Sequence, residues 1–140
     1  MYDNPWTFEG KVFETEDING FFGFVYVITS LIDDKKYIGR KYFYSFRKKK
    51  GSKRRQKSES DWKEYYGSSD ELKEEIEIHG KENFRREIIS LHSTKGRVNY
   101  EEVREQFLHG VLEDETYING KWHRAPEHIR EKSKYRKSDV

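Results

Sequence analysis

The sequence predicts an α+β domain: a small three-stranded, mainly antiparallel sheet flanked by helices. Three observations predict it. Residues 22–39 read as strand, turn and strand, with Val25, Val27, Ile28 and Thr29 favouring the first strand and Asp33-Asp34 supplying turn chemistry before Lys36-Tyr37-Ile38-Gly39. Phe84-Arg85-Arg86-Glu87-Ile88-Ile89-Ser90-Leu91 reads as a third strand. Two capped helical patterns, one on each side of that third strand, complete the set.

The elements follow in order. Residues 1–20 are polar and acidic, with Trp6, Phe8, Val12 and Phe13 as anchors that would pack this N-terminal extension onto the domain. Residues 41–49 predict a short basic helix, because Tyr42, Phe43 and Phe46 are spaced for one buried face. Gly51 through Ser60 holds no apolar residue and predicts a loop. Ser68, with Glu71 three positions on as a capping box, opens a helix to about His79, and Gly80 ends it. Asn99 with Glu102 caps the last helix, whose Tyr100, Val103, Phe107 and Val111 repeat on one face. From Trp122 onward the chain is densely charged, and residues 131–140 are expected to fray. The expected division is an extension at 1–20, one domain at 21–122 and a charged tail at 123–140.

Composition narrows the classes. A length of 140 residues is one domain by size. Hydrophobic residues make up only 33%, but aromatics reach 16%, so a small core must be built from large rings. The charged fraction is 39% for a net charge of +2, so a basic run and acidic helices are hidden in the balance. The absence of cysteine excludes a disulfide framework and a thiolate zinc site, and it fits a reducing compartment. No apolar run approaches the length of a membrane span, and a cytoplasmic location is expected.

Chemistry enters with three residues. Tyr26 and Tyr37 stand eleven positions apart on the two paired strands, and Arg47 follows Gly39 by eight. That spacing brings two phenol hydroxyls and a guanidinium together, groups suited to a phosphodiester. As isolated residues, the tyrosines read mainly as ordinary strand aromatics with surface hydroxyls, and Arg47 as solvated surface. His123 and His128 lie five apart without an evident third ligand, and His109 follows Glu105 by one helical turn. Trp62, Tyr65 and Tyr66 serve either to stack on bases or to pack the neighbouring helix.

At these residues the chain resembles the GIY-YIG nuclease family. Tyr37-Ile38-Gly39 matches letter for letter and the tyrosine interval is the family's usual one. Phe24-Val25-Tyr26 stands where Gly-Ile-Tyr is expected, with Gly23 one place early. Arg104-Glu105-Gln106-Phe107 is similar to the helix that carries the family's metal-binding glutamate, and Asn119 lies near the family's C-terminal asparagine. Trp62 to Ser69 and His79-Gly80 look most like the branch of free-standing phage homing endonucleases, which would place the protein in a bacterial host. Some members carry histidines on the arginine helix and just after it; this chain has none there.

The resemblance implies metal-dependent hydrolysis of DNA leaving 5′-phosphate and 3′-hydroxyl ends. Tyr26, Tyr37, Arg47, Glu105 and Asn119 are the implied catalytic residues, with Glu105 holding one Mg2+ or Mn2+ ion and Glu101, one turn away, as second candidate. A non-cleaving DNA-binding protein on the same scaffold and an RNA-directed nuclease are the alternatives, and a homodimer is open. The expected partner is double-stranded DNA. Residues 47–57 carry eight positive and no negative side chains. Lys48, Lys49, Lys50, Lys53, Arg54, Arg55 and Lys57 of that run, with Lys36, Arg40 and Lys41 before it, are the expected DNA contacts.

Overall fold

A computed structural model describes residues 2–48, 50–51 and 53–117, with only the backbone of Arg47. In chain order its elements are β1 (Thr7–Phe8), β2 (Lys11–Val12), β3 (Gly23–Ser30), β4 (Lys36–Tyr42), β5 (Tyr44–Lys48), β6 (Arg55–Glu59), α1 (Asp70–His79), β7 (Phe84–His92) and α2 (Lys95–Leu108), joined by short 3-10 turns.

The 22–39 hairpin forms: β3 and β4 pair antiparallel from Gly23 opposite Tyr42 to Thr29 opposite Lys36. β7 adds antiparallel to the other side of β3, with a register shift between Val25 and Tyr26. These are the three predicted strands. The sheet has five, however, in the order β2-β1-β7-β3-β4. β1 runs parallel to β7 opposite Glu87 and Ile88, and β2 folds back on β1. Strands of two residues carry no alternation to read, which is why the N-terminal pair escaped sequence analysis.

Aromatic rings fill one face of the sheet. Trp6, Phe24, Tyr26, Phe43, Trp62 and Phe84 are almost wholly buried there, with Leu72 and Ile76 of α1 above them. Arg86 is buried in the same region with no ion pair among the described residues. Its guanidinium donates to the carbonyls of Asn4 (2.6 and 3.0 Å) and Tyr65 (2.8 Å), and lies over the rings of Trp6 and Tyr66. A buried cation needs such saturation, and this one fastens residue 4 and residue 65 to β7. The opposite face holds a smaller cluster of Val25, Ile38, Val111 and Tyr117.

Four local expectations are corrected. Residues 41–49 are extended rather than helical: β4 runs through Tyr42, Phe43 turns into the core, and β5 follows. Tyr42, Tyr44 and Phe46 alternate with period two, a signal that the helical spacing of Tyr42, Phe43 and Phe46 obscured. Within the expected 51–60 loop, β6 pairs with β5 from Glu59 opposite Tyr44 to Arg55 opposite Lys48. All five β6 residues are exposed, so no apolar alternation marks the strand. The first helix is capped one residue later than expected, by Ser69, whose hydroxyl accepts from the Leu72 amide; Gly80 at φ 88° ends it as read. α2 is capped by Thr94 instead of Asn99, and its buried residues are Val98 and Glu101. Of the expected packing face, Tyr100, Val103 and Phe107 are 58%, 62% and 84% exposed, and Val111, beyond the end of α2, is buried. Apart from Val98, the face of α2 that meets the sheet is polar (Asn99, Glu101, Glu102 and Gln106), and apolar periodicity therefore pointed to the wrong side.

Candidate active site

Alternation along β3 and β4 places Tyr26 and Tyr37 on one face. Tyr26 lies opposite Gly39 and Tyr37 opposite Ile28, two residues beyond Tyr26. The rings lie 6.2 Å apart. Gly39 is required: a Cβ there would stand 2.5 Å from the Tyr26 hydroxyl and 2.9 Å from Cε1 of Tyr37. Gly67 (φ 94°) closes over the same two rings, with its Cβ position 3.5 Å from each. The letters of the motif thus have a steric reason: a side chain at residue 39 would displace the tyrosine opposite.

The Tyr26 hydroxyl is buried and finds no well-formed hydrogen bond among the described residues. An orphaned buried hydroxyl costs about 1–3 kcal/mol, a cost tolerated most often where a ligand or water completes it. Burial holds its pKa well above the ordinary value, with the neighbouring Tyr65 and Tyr37 adding to the effect. Tyr37 is pushed up to about 12, chiefly by burial and against the contact of its hydroxyl with Ser68 Oγ at 3.5 Å. At neutral pH both phenols are protonated.

The two tyrosines form the floor of a cleft of about 840 Å3 at the outer edge of β4, walled by β5 and β6 on one side and α2 on the other. Among the described residues, Arg40, Lys41, Arg55 and Lys95 line it, against a single carboxylate, Glu102. The positive excess suits a phosphate. Glu102 receives a very short ion pair from Arg40 Nη1. Arg40 Nε also donates to Tyr42 Oη (3.3 Å), which donates to Asn99 Oδ1 (2.6 Å). Burial would lower the Arg40 pKa, but Tyr42 and Glu102 hold it above the usual value. Gln106 Nε2 donates to the Ile38 carbonyl on the edge strand (3.1 Å), fixing α2 against β4.

The glutamates of α2 therefore have three environments. Glu101 is buried between Arg97 (2.9 Å) and Arg104 (3.4 Å). Glu105 lies 3.3 Å from His109 Nε2 and 3.9 Å from Arg104, outside the cleft lining. Glu102 alone of the three enters the cleft. Sequence analysis had assigned Glu102 to a cap. With the true cap at Thr94, Asn99, Glu102 and Gln106 fall at i, i+3 and i+7 on one face, and that pattern would have found them.

The other expected contacts are dispersed. Arg40, Lys41 and Arg55 line the cleft; Lys41 Nζ also pairs with Asp61 (2.6 Å) and sits 4.1 Å over the Tyr65 ring. Lys36 pairs with Asp34 away from the cleft. Lys48, Lys50, Lys53, Arg54, Arg55 and Lys57 are exposed on β5, β6 and the turn between them. Arg47 is placed by its backbone alone, opposite Gln56. Lys49, Asn119, His123, His128 and the 123–140 tail lie outside the described residues. Trp62 belongs to the core, Tyr66 packs beneath Arg86, and Tyr65 lines the cleft. Among the described residues no three His, Cys, Asp or Glu side chains cluster as a protein-only metal cage would require, and no helix is long and apolar enough to cross a membrane.

No curated protein matches the chain, and neither does any solved structure. One family model does, that described as "Putative endonuclease segE, GIY-YIG domain", over residues 6–123. The match covers most of the chain and contains both tyrosines, their glycine and the cleft face of α2, so the protein belongs to the GIY-YIG endonuclease family, of the segE type.

Proposed function

We propose that this protein is a divalent-metal-dependent endonuclease that hydrolyses DNA phosphodiesters to 5′-phosphate and 3′-hydroxyl ends. The observation that carries the reading is the cleft itself: a buried Tyr26 hydroxyl that makes no well-formed hydrogen bond among the described residues, Tyr37, an excess of cations and the Glu102 carboxylate meet at the edge of β4. Family membership supplies the reaction class.

The residues present fit a magnesium or manganese ion. A hard cation bound at one carboxylate, completed by phosphate oxygens and water, is a common arrangement, and Glu102 is the carboxylate in place. We assign the metal to Glu102 in preference to Glu105, which the resemblance indicated but which faces His109 and Arg104. When bound, such an ion would polarise the phosphate and stabilise the leaving oxygen. Arg40, released from Glu102, neutralises charge on the phosphoryl oxygens; Arg47 is kept in the same role on the resemblance alone. The Tyr26 hydroxyl, which has no well-formed hydrogen bond among the described residues, holds the attacking water, and Tyr37 orients that water from the adjacent position. The water oxygen bonds to phosphorus and the bond from phosphorus to O3′ breaks; the water releases one proton to solvent and O3′ takes one up from solvent, so the protons balance. Asn119 is kept in the proposal on the resemblance alone.

Cleavage of supercoiled plasmid with and without magnesium tests the reading. Magnesium-dependent conversion to nicked or linear DNA with 5′-phosphate ends is the expected result. Binding without cleavage under any divalent ion would leave a DNA-binding protein on a nuclease scaffold.

A further inference from the structure

The β5–β6 ribbon is a second sheet of its own, separate from the five-stranded one. Its two faces differ in chemistry. Tyr44 and Phe46 with Lys57 occupy one face, as the Lys57 ammonium 4.1 Å over the Tyr44 ring shows. That face is fastened to the domain: Phe46 stacks on Phe22 at 6.1 Å and 8°, and Tyr44 packs on the core. The other face carries Ser45 and Ser58, hydroxyls 3.1 Å apart, followed by Gln56 in the next pair. Gln56 and Ser58 are exposed, and no apolar residue interrupts them. Around both faces stand Lys48, Lys50, Lys53, Arg54 and Arg55, all exposed.

A loop that merely neutralises phosphate needs cations and no fixed backbone. This segment instead holds a five-pair ladder with an outward row of hydroxyl and amide groups. Such groups make hydrogen bonds to base edges: glutamine suits adenine N6 and N7, and serine suits several edges. Dimensions agree. Two strands about 4.8 Å apart, widened by short side chains, fit a major groove about 12 Å wide, and five residues at about 3.3 Å each span roughly five base pairs. Ser45 of the polar face, with Tyr44, Phe46 and Arg55 of the other, lines the cleft that holds Tyr26 and Glu102, so a duplex seated against the ribbon continues along its Ser45 edge into the site of cutting.

We propose that the β5–β6 ribbon enters the major groove of double-stranded DNA, reading bases through Ser45, Gln56 and Ser58 while its flanking lysines and arginines hold the two phosphate backbones. The inference rests on the DNA-cleavage reading for its partner and goes beyond it in naming duplex form, groove and the reading face. Cations on the rim supply affinity common to all sequences; the polar row discriminates among them.

The full chain is tested by selecting bound duplexes from a randomised pool in magnesium-free buffer, then repeating the selection with Gln56→Ala/Ser58→Ala. Wild type is expected to bind the duplex pool more tightly than the same pool as single strands and to enrich a short preferred site. The double variant should lose about ten- to hundredfold of its preference for that site, with a much smaller loss on unselected duplex. Lys48→Ala/Lys53→Ala/Arg54→Ala should instead weaken all duplexes alike and lower the salt slope by about one per lost phosphate contact. Guanine N7 methylation of the preferred site should block binding, since that atom faces the major groove. Interference confined to adenine N3, equal affinity for single strands, or an unchanged preference in the double variant overturns the proposal. Plasmid cleavage by wild type is scored separately. A protein that cuts but shows any of those three results loses the ribbon assignment alone, and one that reads DNA as expected but never cuts loses the nuclease assignment alone.

Discussion

Single side chains decide the chemistry of the cleft, and Glu102 is the sharpest case. Its carboxylate lies among cations beside the two tyrosines, whereas Glu105 is engaged by Arg104 and His109. Glu102→Ala is therefore expected to abolish magnesium-dependent cleavage while DNA affinity falls little or rises, because a negative charge leaves a phosphate-binding cleft. Glu105→Ala should keep most of the activity. Single-turnover rates of the two variants separate them, and a dead Glu105→Ala beside an active Glu102→Ala would return the metal to the residue favoured by resemblance. Tyr26 poses a different question. Its pKa is raised by burial, so the phenol is protonated far above neutral pH. A general base works best with a pKa near the working pH, and a buried phenol is far from that; a neutral hydroxyl can still position water. Tyr26→Phe should lower the single-turnover rate by ~10²–10⁴ while the fold and DNA binding persist. That defect should stay constant between about pH 6 and pH 9, because the wild-type hydroxyl does not change its protonation over this range. If phenolate were the active form, the defect would grow about tenfold per pH unit as the rare ionised species accumulates in wild type alone.

Elements differ in how plainly the sequence announces them. The β3–β4 hairpin and β7 were legible because β-branched residues, turn aspartates and the tyrosine interval all point the same way. α1 was legible from its terminal glycine and from a cluster of serines before it, although the cap is Ser69 and not the expected Ser68. The β5–β6 ribbon was not, since one strand is wholly exposed and the other had a competing helical spacing. α2 was found but turned to the wrong side, for a physical reason: it buries Val98 and Glu101 and aims Glu102 and Gln106 at the cleft, so function has reversed its amphipathic pattern. The same pressure acts at Gly39, where the strand gives up a side chain to admit the Tyr26 ring. Gly39→Ala would force a Cβ to 2.5 Å from a hydroxyl on a ring that is fully buried and cannot swing away. It should cost about 1–3 kcal/mol through overpacking and depress cleavage together with stability. Gly96→Ala, with nothing within 4 Å of the added carbon and a position inside α2, should be neutral or slightly stabilising. Thermal melts and cleavage rates of this pair test whether the motif glycine is steric in origin; two indistinguishable variants would show that it is not.

At the scale of the whole molecule, the N-terminal segment carries more than the word extension implies. Trp6 is fully buried and packs 5.0 Å from the rings of both Phe24 and Tyr26, and its indole donates to the Trp62 carbonyl at 2.7 Å. Its ring also lies beneath Arg86, whose guanidinium is held by the Asn4 and Asp3 carbonyls. The wall behind the proposed water-positioning tyrosine is thus built from residues far upstream of the hairpin. Removing that wall should be felt everywhere at once. Trp6→Ala deletes a large buried ring, removes the shorter of the two hydrogen bonds to the Trp62 carbonyl (the Tyr65 amide at 3.3 Å remains) and exposes one side of a buried cation, so a loss of about 3–5 kcal/mol is expected. Total stability for a chain of this size is typically about 5–15 kcal/mol, so the variant would sit close to its unfolding threshold. Urea unfolding followed by both far-UV circular dichroism and tryptophan fluorescence distinguishes two outcomes. A segment integral to the domain gives one cooperative transition, displaced to lower urea with both probes coincident, and a matching loss of cleavage as Tyr26 loses its support. A separable extension gives a small early change in fluorescence while the main transition and the cleavage rate stay where they were. The parallel pairing of β1 with β7, the Arg86 clamp and the Trp6–Tyr26 contact all tie the segment to the strands that carry the site, and the first outcome follows from them.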